Sequence, residues 1–150
     1  MLFRSLWDIA SARDEGVLRS FLQPVEKPFP MVATQDVGQQ AAALLREDWR
    51  GTRVVELEGP ARISPDDLAR AFARVLKRPV RVDTILRASW EQMFRAQGMR
   101  NPLPRIRMLD GFNEGWIEFS AHGRSAIKGT TTLESVIAEL VKASEAKALV

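Results

Sequence analysis

Few residues in this chain of 150 could do chemistry, and the missing types decide more than those present. There is no cysteine, which removes disulfides, thiolate nucleophiles and cysteine-ligated metals. There is no tyrosine, so a reductase mechanism that takes its proton from a tyrosine paired with a lysine is closed. The single histidine, His122, precedes Gly123 in a loop-like stretch and cannot alone build a metal centre or a catalytic triad. Glu56 and Glu58 stand two apart in a strand-like run, so both point to one face. They read as paired carboxylates or as a plain exposed polar face opposite Val55 and Leu57. Glu58 has the further claim of ending its strand before Gly59-Pro60, where sites collect in α/β sheets. The polar-face reading is favoured. Trp90, Phe94, Phe112 and Trp116 recur at near-helical spacing, as core or as an apolar pocket between two helices, with Asn113 and Glu114 as polar contacts or ordinary surface.

Phosphate chemistry would need glycines at fixed offsets, so that backbone amides can approach a pyrophosphate. The nine glycines are scattered and form no G-x-G-x-x-G. Gly111 and Gly115 fall inside a helical pattern, where packing or a kink explains them better. Gly123 and Gly129 are not followed by Gly-Lys-Ser/Thr.

The elements that must position these residues follow from periodicity and punctuation. Residues 5–15 read as a helix with Leu6, Ile9 and Ala10 on one side and Gly16 as its stop. Segments 17–22 and 29–33 read as strands of an antiparallel hairpin, with a proline-rich connection over 23–30. Thr34 is placed to cap a helix with Asp36 in its first turn and Val37, Ala41, Leu44 and Leu45 on its inner face. A strand is expected over 53–58, ended by Gly59-Pro60. Ser64-Pro65-Asp66-Asp67 opens a helix carrying Leu68, Phe72, Val75 and Leu76, closed by Lys77, Arg78 and Pro79. Residues 80–85 form another strand, and Ser89 caps a helix that Gly98 stops. A long helix is expected over 103–119, unbroken or broken near Gly111. Thr131 and Glu134 match a capping box, with Leu133, Val136, Ile137, Leu140 and Val141 as the apolar face of the last helix. The tail 142–150 is expected to fray. The result is one helix-rich α/β domain over 1–150, with too few strands for a complete doubly wound sheet.

Composition narrows the class. The hydrophobic fraction of 45% suits a globular fold. The net charge is only +3, and the basic residues are dispersed; Arg100, Arg105 and Arg107 are interrupted by Pro102 and Pro104. That is a solvated face rather than a phosphate-tracking stripe, so nucleic acid is not expected as a partner. No apolar run approaches the roughly twenty residues needed to span a bilayer, and the first residues lack the core of a signal peptide. A cytoplasmic location and no membrane partner are expected.

Several stretches carry a resemblance: SFLQP (20–24), PMVATQDVG (30–38), RVVELEGP (53–60), the helix from Ser64 followed by RPV (78–80), and FRAQGMRNPLPRIRMLDGFNEGWIEF (94–119). Together they resemble the C-terminal half of NmrA-like proteins, atypical short-chain dehydrogenase/reductases that bind NAD(P). The resemblance runs from about Trp7 to Val141. It implies the substrate-side lobe and late edge strand of a Rossmann protein without the dinucleotide-binding half. The edge strand would be 53–58, and the hairpin with 80–85 would form the lobe. It implies pocket walls at Pro30, Met31 and Val32, at Glu58, Gly59 and Pro60, and at Phe112 and Trp116, to which the aromatic pattern adds Trp90. None is a proton donor suited to hydride chemistry. The expectation is therefore a truncated NmrA-like protein without catalytic residues, metal or bound cofactor of its own, NAD(P) belonging to the full-length family. The parent class would be NAD(P)-dependent oxidoreductases or epimerase-like proteins. The alternative is a regulatory or protein-interaction module related to NmrA-type redox-sensing transcriptional regulators. Either way, unpaired strand edges and uncovered helix faces predict a homo-oligomer or a Rossmann-bearing partner chain, with a small molecule as the other ligand.

Overall fold

The computed structural model describes residues 6–148; of residues 6–8, 121, 122 and 145–148 only the backbone is described. The segment Met1–Ser5, the side chains of Leu6 and His122, and the end of the tail thus lie outside the described residues. The fold is mixed α/β and helix-rich, with two small parallel sheets. In chain order the elements are α1 (Leu6–Asp14), β1 (Val17–Ser20), α2 (Thr34–Leu44), β2 (Leu57–Glu58), α3 (Pro65–Leu76), β3 (Arg81–Thr84), α4 (Trp90–Ala96), α5 (Leu103–Glu114), β4 (Ile127–Lys128) and α6 (Leu133–Ala148). Short 3-10 turns precede α4 and follow α5.

The helix α3 is the best-specified element. Ser64 takes an extended conformation and its hydroxyl accepts from the Asp67 amide at 3.1 Å, while the Asp67 carboxylate accepts from the Ser64 amide at 3.0 Å. These reciprocal bonds satisfy two amides that the first turn leaves without partners, and Pro65 has none to satisfy. At the other end Lys77 takes a left-handed conformation at φ 53°. The inner face of α3, with Leu68, Ala69, Ala71 and Phe72, packs with Ile9 and Ala12 of α1, Leu18 of β1 and Ile137 and Val141 of α6. Ala10, expected inside, is exposed; Ala12 takes the buried position.

The strand β1 pairs in parallel with β3, Val17 opposite Arg81 and Ser20 opposite Thr84. This corrects the expected hairpin of 17–22 with 29–33. Phe29 instead forms an antiparallel bridge with Ile63, two hydrogen bonds of 3.0 Å, and the Gly59 amide donates to the Met31 carbonyl at 2.7 Å. The physical reason is the connection: the proline-rich stretch carries the chain away from β1, whose edge is then taken by the strand following α3. A Cβ at Gly59 would meet the Met31 carbonyl oxygen at 2.7 Å, so the close approach requires glycine there.

A second core holds Leu22, Phe29, Met31, Trp90, Phe94, Ile106 and Leu109, with Phe112 and Phe21 packed against it. Trp90 is fully buried and its indole N–H donates to the Ile85 carbonyl at 2.9 Å. Phe21 meets Trp90 edge-on at 5.6 Å. The helix α5 stops at Glu114, earlier than the expected 119, because Gly115 at φ 89° reverses the chain. Ile117 and Trp116 then fold back so closely on Gly111 that a Cβ there would clash. Asn113 locks this end to the loop after β1: its side-chain amide donates to the Phe21 carbonyl and its oxygen accepts from the Gln23 amide, both at 2.9 Å.

Three caps differ from expectation. The residue before α2 is Ala33, without a side-chain bond, so Thr34 lies inside the helix. Ser89 donates back to the Leu86 carbonyl instead of capping α4, because 87–89 is itself a 3-10 turn. At α6 the Ser135 amide bonds to Thr132 rather than Glu134 to Thr131. Thr131 is otherwise engaged, as described next.

Candidate functional site

The expected pocket residues come from three stretches, and one cavity brings four of them together. Met31 and Val32 from the segment before α2, and Gly59 and Pro60 from the turn after β2, line a small pocket of about 30 Å3, open to solvent, with Ala33, Ile63, Thr131, Thr132, Leu133 and Val136. The Gly59–Met31 hydrogen bond holds the first two stretches together. The start of α6 supplies the opposite wall, which the sequence pattern had not associated with a pocket. The signal that could have found it was Gly129: Asp36 lies so close that a Cβ at this position has no room.

The lining is apolar apart from the two threonine hydroxyls, and both are engaged. Thr131 donates through its hydroxyl to Asp36 at 2.7 Å, and its amide donates to the same carboxylate at 3.1 Å. Thr132 accepts from the Ser135 amide at 3.3 Å. No lining residue is a titratable acid or base. The pocket has nothing to deliver a proton.

Glu58 stands behind this cavity rather than in its lining. Only 2% of it is exposed, which corrects the exposed polar face expected for Glu56 and Glu58. The reason is pairing. Lys128 on β4 bonds to one Glu58 oxygen and Arg62 to the other at 3.2 Å. Arg62 also forks onto Glu118 at 2.7 and 2.8 Å. The bond from Glu118 holds the guanidinium above its ordinary range, with smaller help from Glu58. A carboxylate buried between two cations is a structural tie and an inert one. Glu56 is half-buried and accepts from the Ser120 amide at 2.8 Å.

The aromatic candidates separate. Trp90 and Phe112 belong to the second core, apart from the cavity lining, and Trp116 is 62% exposed, bonding only to Glu114. A wider cleft of about 400 Å3 adjoins the pocket at Pro60, Ile63, Thr132 and Leu133. Its charged rim is internally matched: Arg70 pairs with Asp67 at 2.6 Å and Arg74 with Glu134. The Glu134 carboxyl is held below its usual range by its own backbone amide and then by Arg74.

A feature of a different kind lies on α2. At about 100° per residue, Val37, Ala41 and Leu45 span roughly 80° of the helix, and Asp36 lies about 140° from the middle of that arc. Asp36 is the buried residue of α2, whereas Val37, Ala41 and Leu45 are exposed, Leu45 at 87%. The helix thus turns its one carboxylate inward and Val37, Ala41 and Leu45 to solvent, the reverse of what was expected for these three and of ordinary amphipathic packing, while Leu44, the fourth residue of the expected inner face, is half-buried. Beyond it, Trp49 is 47% and Val54 85% exposed. Of the strand expected over 53–58, only Leu57–Glu58 is laddered, to Ile127–Lys128 of β4.

Among the described residues no group of three or more His, Asp or Glu could hold a metal ion, and no helix is long and apolar enough to cross a membrane. No family model matches this chain, and no curated protein matches it.

Proposed function

We propose that this chain is the substrate-side lobe of an NmrA-like protein of the NAD(P)-binding class, that it carries out no redox chemistry unaided, and that a second body covers α2 and the segment 53–56. The observation that carries this reading is the outward apolar arc of α2, continued by Trp49 and Val54. A helix of 11 residues with one buried side chain is marginal alone in water. Exposed apolar side chains beside an unladdered β-prone run are what an uncovered interface presents. A Rossmann-bearing chain or a second copy of this one would supply the cover.

The residues do not fit a dinucleotide. A pyrophosphate favours helix N-termini with open amides and no like charge. The first turns here hold Asp36 in α2, Asp66 and Asp67 in α3, Glu91 in α4 and Glu134 in α6. Of the helices from α2 onward the remaining one, α5, begins Leu103-Pro104, and Pro104 offers no amide. No step is therefore routed through a nicotinamide. This chain contributes a small, open apolar pocket walled by Met31, Val32, Gly59 and Pro60.

The test is titration of the purified chain with NADPH, followed by cofactor fluorescence. No saturable change in the micromolar range is expected. Saturable binding, or unaided oxidation of NADPH by any small carbonyl compound, would overturn the reading. The exposed arc also supports a second reading, a protein-interaction module in a cytoplasmic regulator. The coding sequence directly upstream separates the two: a Rossmann-encoding stretch favours the lobe, and unrelated sequence the module.

A further inference from the structure

The cleft between α3 and the start of α6 has the room that the small pocket beside it lacks. Its volume is about 400 Å3, within the roughly 300–1,000 Å3 usual for small-molecule sites. Pro60, Ala61, Ile63 and Leu133 make its apolar part, and Arg70 and Arg74 line it from α3. The two arginines are four apart, so they share one face of that helix. The rim is matched in charge but not in hydrogen bonds. Arg70 gives one bond, to Asp67 at 2.6 Å, and Arg74 gives one, to Glu134. A guanidinium carries a planar fork of donors, so most of the donors on both have no acceptor among the described residues. The acceptors are already taken. The Asp67 carboxylate also accepts from the Ser64 amide at 3.0 Å and from its hydroxyl at 2.8 Å. The Thr132 hydroxyl donates to the Ser135 hydroxyl at 3.2 Å and accepts from its amide at 3.3 Å.

We propose that this cleft binds a small organic carboxylate, with the anion on Arg70 and Arg74 and the apolar body against Ile63 and Leu133. A rim rich in donors and short of free acceptors selects an anion rich in acceptors, and the guanidinium fork matches the two oxygens of a carboxylate. The side chains of Arg70 and Arg74 are 61% and 57% exposed, and ion pairs so exposed hold weakly. Both can therefore take a second acceptor without leaving a buried charge alone. The third arginine of the wall, Arg62, is committed to Glu58 and Glu118 and takes no part. Glu134 is a built-in competitor, because its carboxylate already bonds Arg74 and carries the same charge as the ligand. The cleft lies on α3 and α6, so its ligand does not depend on what covers α2.

Titration of the full chain with benzoate, followed through the amide signals of residues 132–134 by NMR, tests this. Saturable shifts are expected, with a dissociation constant on the order of 1 mM. The neutral analogue benzamide gives none, and inorganic phosphate, which has no apolar body, binds several-fold more weakly than benzoate. Arg74→Gln weakens benzoate about tenfold, the change expected when a charge-assisted hydrogen bond is lost. Glu134→Gln tightens it several-fold by removing the competing charge, a gain that a purely structural ion pair does not give. Both side chains are more than half exposed, so the variants keep the fold, with the signals of α1 unchanged. The proposal is overturned if the benzoate shifts rise without saturating, or if benzamide or inorganic phosphate binds as tightly as benzoate. It is equally overturned if Arg74→Gln leaves benzoate affinity unchanged or Glu134→Gln fails to raise it.

Discussion

The helices α3 and α2 are of similar length, and they solve opposite problems. The helix α3 is capped at both ends and buries five of its residues, four of them in the core with α1, β1 and α6. The helix α2 has no side-chain cap, buries only Asp36, and presents Val37, Ala41 and Leu45 to solvent. One helix stabilises this chain; the other, on the reading proposed above, is stabilised by something outside it. Apolar periodicity locates both helices equally well but says nothing about which body each face serves.

The contrast can be broken most sharply in the core. Phe72→Ala should cost about 3–5 kcal/mol in urea unfolding, as expected for deleting a buried aromatic ring. Leu45→Ala should stay within about 0.5 kcal/mol when measured at a concentration too low for association. Equal losses would mean that α2 is part of this fold's own core. The caps give a smaller version of the same comparison. Ser64→Ala removes the hydroxyl's bonds with Asp67, leaving the backbone amide's, and should cost about 1 kcal/mol, whereas Thr34→Ala, inside α2 and capping nothing, should be close to neutral.

The smallest effect is in acid. The Asp67 carboxyl is held below its ordinary range, first by the Ser64 amide and hydroxyl and then by Arg70. A depressed folded pKa stabilises the fold above the unfolded value, about pH 4, and that stability is lost as pH falls through the folded value. The side chain is 44% exposed, which screens the effect. Asp67→Asn should therefore be slightly less stable than the native chain at neutral pH and match it in strong acid. A gap that stays constant with pH would assign the bond no ionic part.

Much of the fold was legible in the residues. Ser64-Pro65-Asp66-Asp67 announced α3, Gly16 ended α1, and the alternation of 80–85 marked β3. The misses share a cause: partner choice is tertiary. The segments 17–22 and 29–33 both look like strands, but only geometry shows that the first pairs with β3 and the second with Ile63. Gly115 and Gly111 are equal in a helical pattern, and the left-handed turn at Gly115 decides where α5 ends. The cavity was half legible. Met31, Val32, Gly59 and Pro60 came from resemblance, while Thr131 is held by Asp36, almost a hundred positions away in the chain, and no local pattern encodes so distant a bond. Glu58 looked exposed because alternation in a strand does not reveal that Lys128 and Arg62 close over it.

The most direct test of the central claim, that α2 carries a face made for a second body, is light scattering after size exclusion at micromolar concentration. The native chain is expected to run as an assembly heavier than its 16.9 kDa or to fall out of solution, and the double variant Val37→Asp with Leu45→Asp as a soluble monomer with unchanged helix content. A native chain that stays monomeric and soluble as concentration rises, with the double variant indistinguishable from it, would contradict the account.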